Sequence, residues 1–122
     1  MTFSTVARMQ PADAQGDPAA ALRRWRDELK SGRAALEAAF RARPRTHVLL
    51  AGHARLVDRV LAGAWGRHGA PPGVALIAVG GYGRRELFPH SDVDVLVLLP
   101  RALDRDGAAF VERFIGMLWD VG

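Results

Sequence analysis

A glycine-rich segment lying between two short apolar runs constrains the fold of this chain more than any other feature. The segment, residues 80–94, reads GGYGRRELFPHSDVD; it follows the apolar run 74–79 and leads into the apolar run 95–99. Apolar runs of this length, bounded by glycine and proline, are typical of buried β-strands. Because glycine has no Cβ, its backbone N–H groups stay accessible to an anion. The segment therefore predicts a strand, an anion-binding loop and a second strand.

Two aspartates, Asp92 and Asp94, end this loop with one residue between them. Side chains two positions apart on a strand point to the same side, so a second strand over 92–99 predicts that both carboxylates face one point. Like charges held close together repel each other, and a divalent cation removes that repulsion. Mg²⁺ is usually bound by one or two carboxylates together with phosphate and water. The pair therefore predicts a Mg²⁺ and phosphate site; the alternative is two solvated acids at the end of a strand.

Four further residues of the loop are candidates for phosphate binding. Gly80 and Gly81 would present backbone amides, and Arg84 would offer a planar guanidinium group. Ser91 either contacts phosphate or caps the turn before the strand. The competing interpretations are a plain tight turn at the glycines and a surface ion pair between Arg84 and Glu86. The loop is not a Walker loop, which needs Gly-Lys-Ser/Thr, and Glu86 stands where a dinucleotide fingerprint has its third glycine.

Apolar residues at helical spacing predict three helices around these strands. The expected ranges of the first two are 17–43 and 47–68, and the third ends at 120 and begins at either Asp104 or Asp106. Asp17 and Thr46 are interpreted as the N-caps of the first two helices, because their side-chain oxygens can accept hydrogen bonds from free backbone N–H groups. The order helix, helix, strand, loop, strand, helix indicates an α/β (α+β) fold.

The chain divides into three expected parts. We predict a flexible N-terminus over 1–16, a helical segment over 17–73 and the first part of a larger domain over 74–122, with a short helical turn within 81–87. Two strands make a poor sheet by themselves, and the second strand carries apolar residues on both faces, so it needs cover on both. The sequence therefore predicts that the domain is truncated here and that more strands belong to it.

Composition narrows the possible functional classes. The chain has 122 residues, no cysteine and a formal net charge of +4, so disulfides and thiolate metal sites are excluded. No apolar run is long enough to span a membrane, and the absence of a recognisable signal peptide favours the cytoplasm. Basic residues are spread among acidic ones rather than gathered with aromatic ones, which argues against nucleic-acid binding. The histidines show no metal-binding pattern and are interpreted as surface or packing residues: His47, His53, His68 and His90.

The glycine pair and the acidic pair together resemble a known signature. Gly80 and Gly81, followed after ten residues by Asp92-Val93-Asp94, are similar to the signature of the nucleotidyltransferase superfamily that includes DNA polymerase beta. The longer pattern GGYGRxELxPxSDxD, of which every fixed position is present, resembles more closely that of the protein-PII uridylyltransferase/uridylyl-removing enzymes. Tyr82 stands where many superfamily members have a serine, as it does in this branch.

The resemblance implies an incomplete nucleotidyltransferase fold and a Mg²⁺-dependent transfer of UMP from UTP to a tyrosine of the nitrogen-regulatory protein PII. It implies that Asp92 and Asp94 are the catalytic, Mg²⁺-binding carboxylates. It also implies that the UTP triphosphate is held by Gly80 and Gly81, helped by Arg84 and Ser91. That family uses a third carboxylate on a later strand and has downstream domains that remove UMP and sense glutamine. None of these is present here, so the chain alone is expected to be inactive.

Two other functions stay open at this point. The same pair of carboxylates serves adenylyl transfer to a protein, and nucleotide transfer to a small molecule or to RNA. The missing third carboxylate and the two long N-terminal helices also fit a non-catalytic binding module. A test of UTP and Mg²⁺ binding separates this last interpretation from the enzymatic ones.

Overall fold

The computed structural model describes residues 16–100 and 104–122. The elements in these ranges are α1 (Pro18–Ala42), α2 (Thr46–Arg67), β1 (Ala75–Ala78), α3 (Gly80–Gly83), β2 (Val95–Leu98) and α4 (Arg105–Val121). The predicted mixed α/β class is confirmed, whereas the prediction for residues 1–15 lies outside the described residues. None of the helices in the described parts of the chain combines the length and the apolar character that crossing a bilayer requires.

The first two helices begin differently, one as predicted and one not. The Asp17 carboxylate accepts a hydrogen bond from the Ala19 backbone N–H at 3.1 Å, so Asp17 caps α1 as expected. Thr46, predicted as the cap of α2, is instead its first helical residue, and Arg45 occupies the cap position without a side-chain bond. The helix starts one residue early because the Arg45 carbonyl already accepts the Leu49 N–H at 3.1 Å.

One hydrophobic core joins the three long helices to the sheet. Phe110 and Phe114 of α4 are completely buried, and Trp65 of α2 meets both rings edge-on, with centroids 4.9 and 5.1 Å away. Leu76 of β1 and Leu87, which follows α3, are buried in the same core. Edge-to-face aromatic pairs of this kind contribute about 0.5–1.5 kcal/mol each beyond the burial of their area. The helices therefore form a firm base for β1 and the loop after it.

The two strands form an antiparallel pair with one covered and one open face. The Cα partners are Ala75 with Leu98, Leu76 with Val97, Ile77 with Leu96 and Ala78 with Val95. Side chains alternate across a strand, so the valines of β2 are half-buried while Leu96 and Leu98 are 50% and 52% exposed. The outer face of the sheet is thus apolar and uncovered by the described residues, as expected for a strand that needs cover on both sides.

The strand that was predicted over 92–99 is shorter in the structure. β2 covers Val95–Leu98, so Asp92 and Asp94 precede it. The last ladder bond runs from the Val79 N–H to the Asp94 carbonyl at 3.0 Å. Beyond it the partner chain turns into α3 at Gly80, so the residues before Asp94 have no strand to pair with.

Two smaller differences concern the remaining helices. The helical turn expected within 81–87 covers Gly80–Gly83, because positive φ at Arg85 ends it. α4 begins after Asp104, whose carboxylate accepts the Gly107 N–H at 2.7 Å. This hydrogen bond decides between the two N-termini that the sequence allowed.

Candidate active site

The end of the sheet brings Gly80 and Asp94 together. Gly80 has φ +60, a conformation that favours glycine. A Cβ atom placed on it would lie 2.8 Å from Asp94 Oδ2, which is far inside van der Waals contact. The Asp94 carboxylate therefore lies directly against the bare backbone at the start of α3, in the place that the sequence predicted for a phosphate cradle.

The two aspartates have different surroundings. Both are exposed, but Asp92 lines a cavity of about 280 Å³ together with Arg33 and Ser91, whereas Asp94 contacts Gly80. The strand geometry that predicted two carboxylates on one side applies from Asp94 onward, because the ladder reaches no further back. Convergence of the two carboxylates on one ion stays a prediction.

The donor atoms at this end of the sheet suit Mg²⁺ only in part. The described residues contain no group of three or more histidine, aspartate or glutamate side chains placed to hold an ion. Exposed carboxylate oxygens are nevertheless the ligands that Mg²⁺ prefers, and Mg²⁺ commonly completes its shell with phosphate and water. Asp92 and Asp94 therefore fit an ion that arrives with a nucleotide, rather than a resident ion enclosed by protein.

Arg84 lies beside the second glycine but is already paired. A Cβ on Gly81 would be 3.9 Å from Arg84 Nη2, while Arg84 Nε donates to Glu86 Oε2 at 3.2 Å. Both side chains are mostly exposed, at 65% and 59%, and such exposed ion pairs contribute little free energy. The surface ion pair considered for Arg84 is thus present, and the contact of Arg84 with phosphate stays a prediction.

Ser91 closes the turn that precedes the acidic pair. Its hydroxyl donates to the Phe88 carbonyl at 2.6 Å, and its N–H points to the same oxygen at 3.2 Å. His90, just before it, has φ +68. Of the two roles considered for Ser91, the structure shows the one that closes the turn; its contact with phosphate stays a prediction.

Sequence reasoning missed two contacts that hold the loop onto α2. In the first, the Tyr82 hydroxyl donates to Asp58 Oδ1, and Arg85 Nη1 lies 4.0 Å from Asp58 Oδ2. Burial raises the pKa of the Tyr82 phenol, and the hydrogen bond to Asp58 raises it further. Because 24 positions separate the two residues, no local pattern could have paired them.

The second contact runs through His53, which is completely buried. Its Nδ1 lies 3.2 Å from the Leu87 carbonyl, and its Nε2 accepts a hydrogen bond from Arg33 Nε at 3.2 Å. Since guanidinium only donates, this arrangement requires a neutral ring with its proton on Nδ1. Burial lowers the pKa of His53, and the charges of Arg33 and His90 lower it further, against the opposing effect of the Leu87 carbonyl. The interpretation of His53 as a packing residue omitted this link to the loop.

The neutral state of His53 predicts a loss of stability in acid. Because the folded-state pKa of His53 lies below the ordinary value of 6.5, the unfolded chain binds more protons than the folded one at pH values between these two pKa values. The contribution of neutral His53 to the free energy of unfolding should be complete above pH 6.5 and should be lost as the pH falls through the folded-state pKa. Urea unfolding at closely spaced pH values between 4.5 and 7.5 (approximate limits set around the ordinary histidine pKa) would measure this slope.

The matched control for that measurement is His53→Asn, whose amide can still donate to the Leu87 carbonyl but does not titrate. We expect its stability to change less steeply with pH over the same interval. An unchanged slope in the variant would assign the pH dependence to other groups.

The chain is similar to one protein-family model and to several known enzymes. The model described as "Nucleotidyltransferase domain" matches residues 62–119, a range that contains β1, α3, both aspartates and β2. The chain is 52% identical over 99 residues to the bifunctional uridylyltransferase/uridylyl-removing enzyme of Cupriavidus metallidurans. It is 53% identical over 98 residues to the enzyme of the same name from Thiobacillus denitrificans.

These similarities cover most of this chain but little of each relative. The matched region is 81% of the chain and 12% of the Cupriavidus enzyme, and 80% of the chain and 11% of the Thiobacillus enzyme. A third relative with the same name, from Nitrosospira multiformis, is 43% identical over 103 residues. No solved structure matches the chain. The relatives are therefore much longer enzymes, of which this chain resembles one segment.

Proposed function

This chain is a homologue of one segment of the bifunctional uridylyltransferase/uridylyl-removing enzymes, and we propose that it supplies the nucleotide- and metal-binding part of a uridylyltransferase. Its homologues are enzymes, and the resemblance found in residues 80–94 is confirmed. The proposed reaction is Mg²⁺-dependent transfer of UMP from UTP to a tyrosine of the protein PII, with release of pyrophosphate. The observation that carries the proposal is the contact between Gly80 and the Asp94 carboxylate at the end of the sheet.

The proposed phosphate ligands are backbone amides of the glycine turn, the name used here for residues 80–86, which comprise α3 and the three residues after it. The N–H groups of Gly83, Arg84 and Glu86 are used within the turn, whereas those of Gly80 and Gly81 donate no backbone hydrogen bond among the described residues. Backbone amides that are free and close together form an anion-binding concavity. Gly80 and Gly81 would thus hold the triphosphate, with the guanidinium of Arg84 as an additional donor.

The two aspartates would supply the metal ligands of the proposed site. Asp94, against Gly80, and Asp92 would hold Mg²⁺ beside the phosphates. When bound, Mg²⁺ neutralises phosphate charge and helps to align the attacking and leaving oxygens. The residues of this chain would position UTP, because phosphoryl-type transfer depends mainly on positioning and on electrostatic stabilisation.

Calorimetric titration of the 122-residue chain with UTP in the presence of Mg²⁺ tests this proposal. We expect weak binding, with a Kd on the order of 0.1–1 mM, equivalent to roughly −4 to −5.5 kcal/mol, because the chain spans only a small part of each related enzyme. Chelation of Mg²⁺ should weaken it at least about tenfold. A folded chain that binds no nucleotide would favour the non-catalytic module instead, and tighter binding of ATP than of UTP would favour adenylyl transfer.

A further inference from the structure

We propose that Asp58 of α2 is a positioning residue, which holds the glycine turn through Tyr82 and so fixes where the Gly80 and Gly81 amides point. The inference rests on the proposed function, because those two amides are the proposed phosphate ligands. Asp58 itself would touch neither nucleotide nor metal.

The contact joins one carboxylate to two points of the turn. Tyr82 is 5% exposed, and its hydroxyl donates to Asp58 Oδ1. Arg85 Nη1 lies 4.0 Å from the other oxygen, Oδ2. Tyr82 lies within α3 and Arg85 just after it. The hydrogen bond to the buried Tyr82 is the contact that holds the turn, because the Arg85 pair is partly exposed and contributes little.

α2 is a firm support for such a contact. Val57 and Val60, which flank Asp58 along the helix, are both buried in the common core. Residues on well-packed helices position a site more precisely than residues on loops. The Asp58 carboxylate therefore fixes the position of the glycine turn relative to the hydrophobic core.

Besides its own backbone hydrogen bonds, the turn is tied to α2 through the side chain of Tyr82. α3 consists of Gly80, Gly81, Tyr82 and Gly83, so Tyr82 is the one residue in it that has a side chain. Glycines lose more conformational freedom on ordering than any other residue. Without the bond to Asp58, the turn would sample more conformations, and the amide of Gly80 would shift relative to Asp94. The buried hydroxyl would also lack a partner, which disfavours the present position of Tyr82.

The chain offers a reporter for this contact, because Tyr82 is its single tyrosine. Phenolate absorbance therefore reads the environment of the glycine turn alone. Burial and the Asp58 carboxylate both raise the pKa of Tyr82, so removal of the carboxylate should let the phenol titrate at a lower pH. A residue that only supported the fold elsewhere would leave this titration unchanged.

The experiment compares Asp58→Ala with Asp58→Asn, which removes the charge but keeps an oxygen that can accept the Tyr82 hydroxyl. Amide hydrogen exchange would be measured at Gly83, Arg84 and Glu86, whose N–H groups donate within the turn. We expect exchange at least about tenfold faster in Asp58→Ala and within about threefold of the parent in Asp58→Asn, since one buried hydrogen bond separates them. Asp27→Asn, an exposed acid on α1, serves as the control and should change neither exchange nor the phenol titration.

UTP binding in the same variants completes the test. If Asp58→Ala accelerates exchange in the turn, leaves α1 amides protected and weakens Mg²⁺-dependent UTP binding by about tenfold or more, while Asp58→Asn retains binding, the proposal stands. Unchanged exchange in Asp58→Ala overturns it, as does unchanged UTP affinity despite a loosened turn. If the parent chain binds no UTP while the turn loosens as expected, the proposed function fails but Asp58 still holds the turn.

Discussion

Asp94→Asn should reduce uridylyl transfer at least about 100-fold in a chimera that carries this chain in place of the matching segment of the Cupriavidus enzyme. Replacement of even an indirect partner of a metal site typically costs 10–100-fold, and a direct ligand is expected to cost more. Asparagine keeps the size of the side chain and its place against Gly80, but it removes the charge that would attract Mg²⁺. The measurement is the incorporation of labelled UMP from UTP into PII, at saturating acceptor.

Three further variants make this result interpretable. Asp92→Asn should give a loss of similar size, because both carboxylates are proposed as ligands. Asp106→Asn, an exposed acid in the first turn of α4, should transfer UMP at the rate of the parent chimera. Gly80→Ala should impair transfer as well, because its Cβ would push against Asp94 Oδ2. Full transfer by both Asp92→Asn and Asp94→Asn would contradict the proposed role of these two acids as metal ligands.

Gly83→Ala should destabilise the fold by about 1–3 kcal/mol, the usual range when atoms are added where there is no room. A Cβ at this position would lie 2.7 Å from the Ala78 carbonyl oxygen and 3.1 Å from its carbon. These are backbone atoms of β1, so they cannot rotate away as a side chain can. Relief would require the turn to move off the strand, which disturbs the ladder and the glycine turn together. Urea unfolding monitored by circular dichroism would measure the change.

Gly116→Ala is the matched control. Gly116 is exposed on α4, and a Cβ there would meet nothing within 4 Å. Alanine is favoured over glycine inside a helix by about 0.5–1 kcal/mol, so this substitution should stabilise the protein. Opposite signs for the same chemical change would show that the space at Gly83, and not the loss of glycine itself, causes the destabilisation. Equal stability of Gly83→Ala and the parent would contradict the close approach of α3 to β1.

The elements that the sequence predicts well are those set by local chemistry. Asp17 followed by Pro18 predicts the start of α1, because caps act over a few residues. For α4 the sequence offered Asp104 and Asp106, and the structure has Asp104 as the cap. The alternation after Asp94 predicts which side chains of β2 share a face, but not which face the helices cover, because both faces are apolar. The start of β2 depends instead on how far its partner extends, since a strand needs a partner for each ladder bond. β1 turns away at Gly80, and nothing within residues 92–94 reports that.

The candidate site divides in the same way. The residue types at Gly80 and Asp94 predict that they belong to one site, and the structure places them in contact. The guanidinium of Arg84 can donate hydrogen bonds to phosphate or to Glu86, and the sequence alone does not predict which acceptor it binds. Asp58 and His53 hold the loop across 24 and 34 positions of chain. Such pairs are fixed by the packing of α2 against the loop, which has no local periodicity to reveal it.

The open outer face of the sheet has a bearing on electrostatics. Asp94, Leu96 and Leu98 alternate along one direction and are all exposed, so water now screens the Asp94 carboxylate. Any polypeptide laid over the two leucines would displace that water and lower the local dielectric constant. The attraction between a carboxylate and a cation grows as the dielectric constant falls. Covering this hydrophobic surface would therefore also raise the affinity of Asp94 for a metal ion. Burial of the outer face of the sheet and activation of the site would then be coupled.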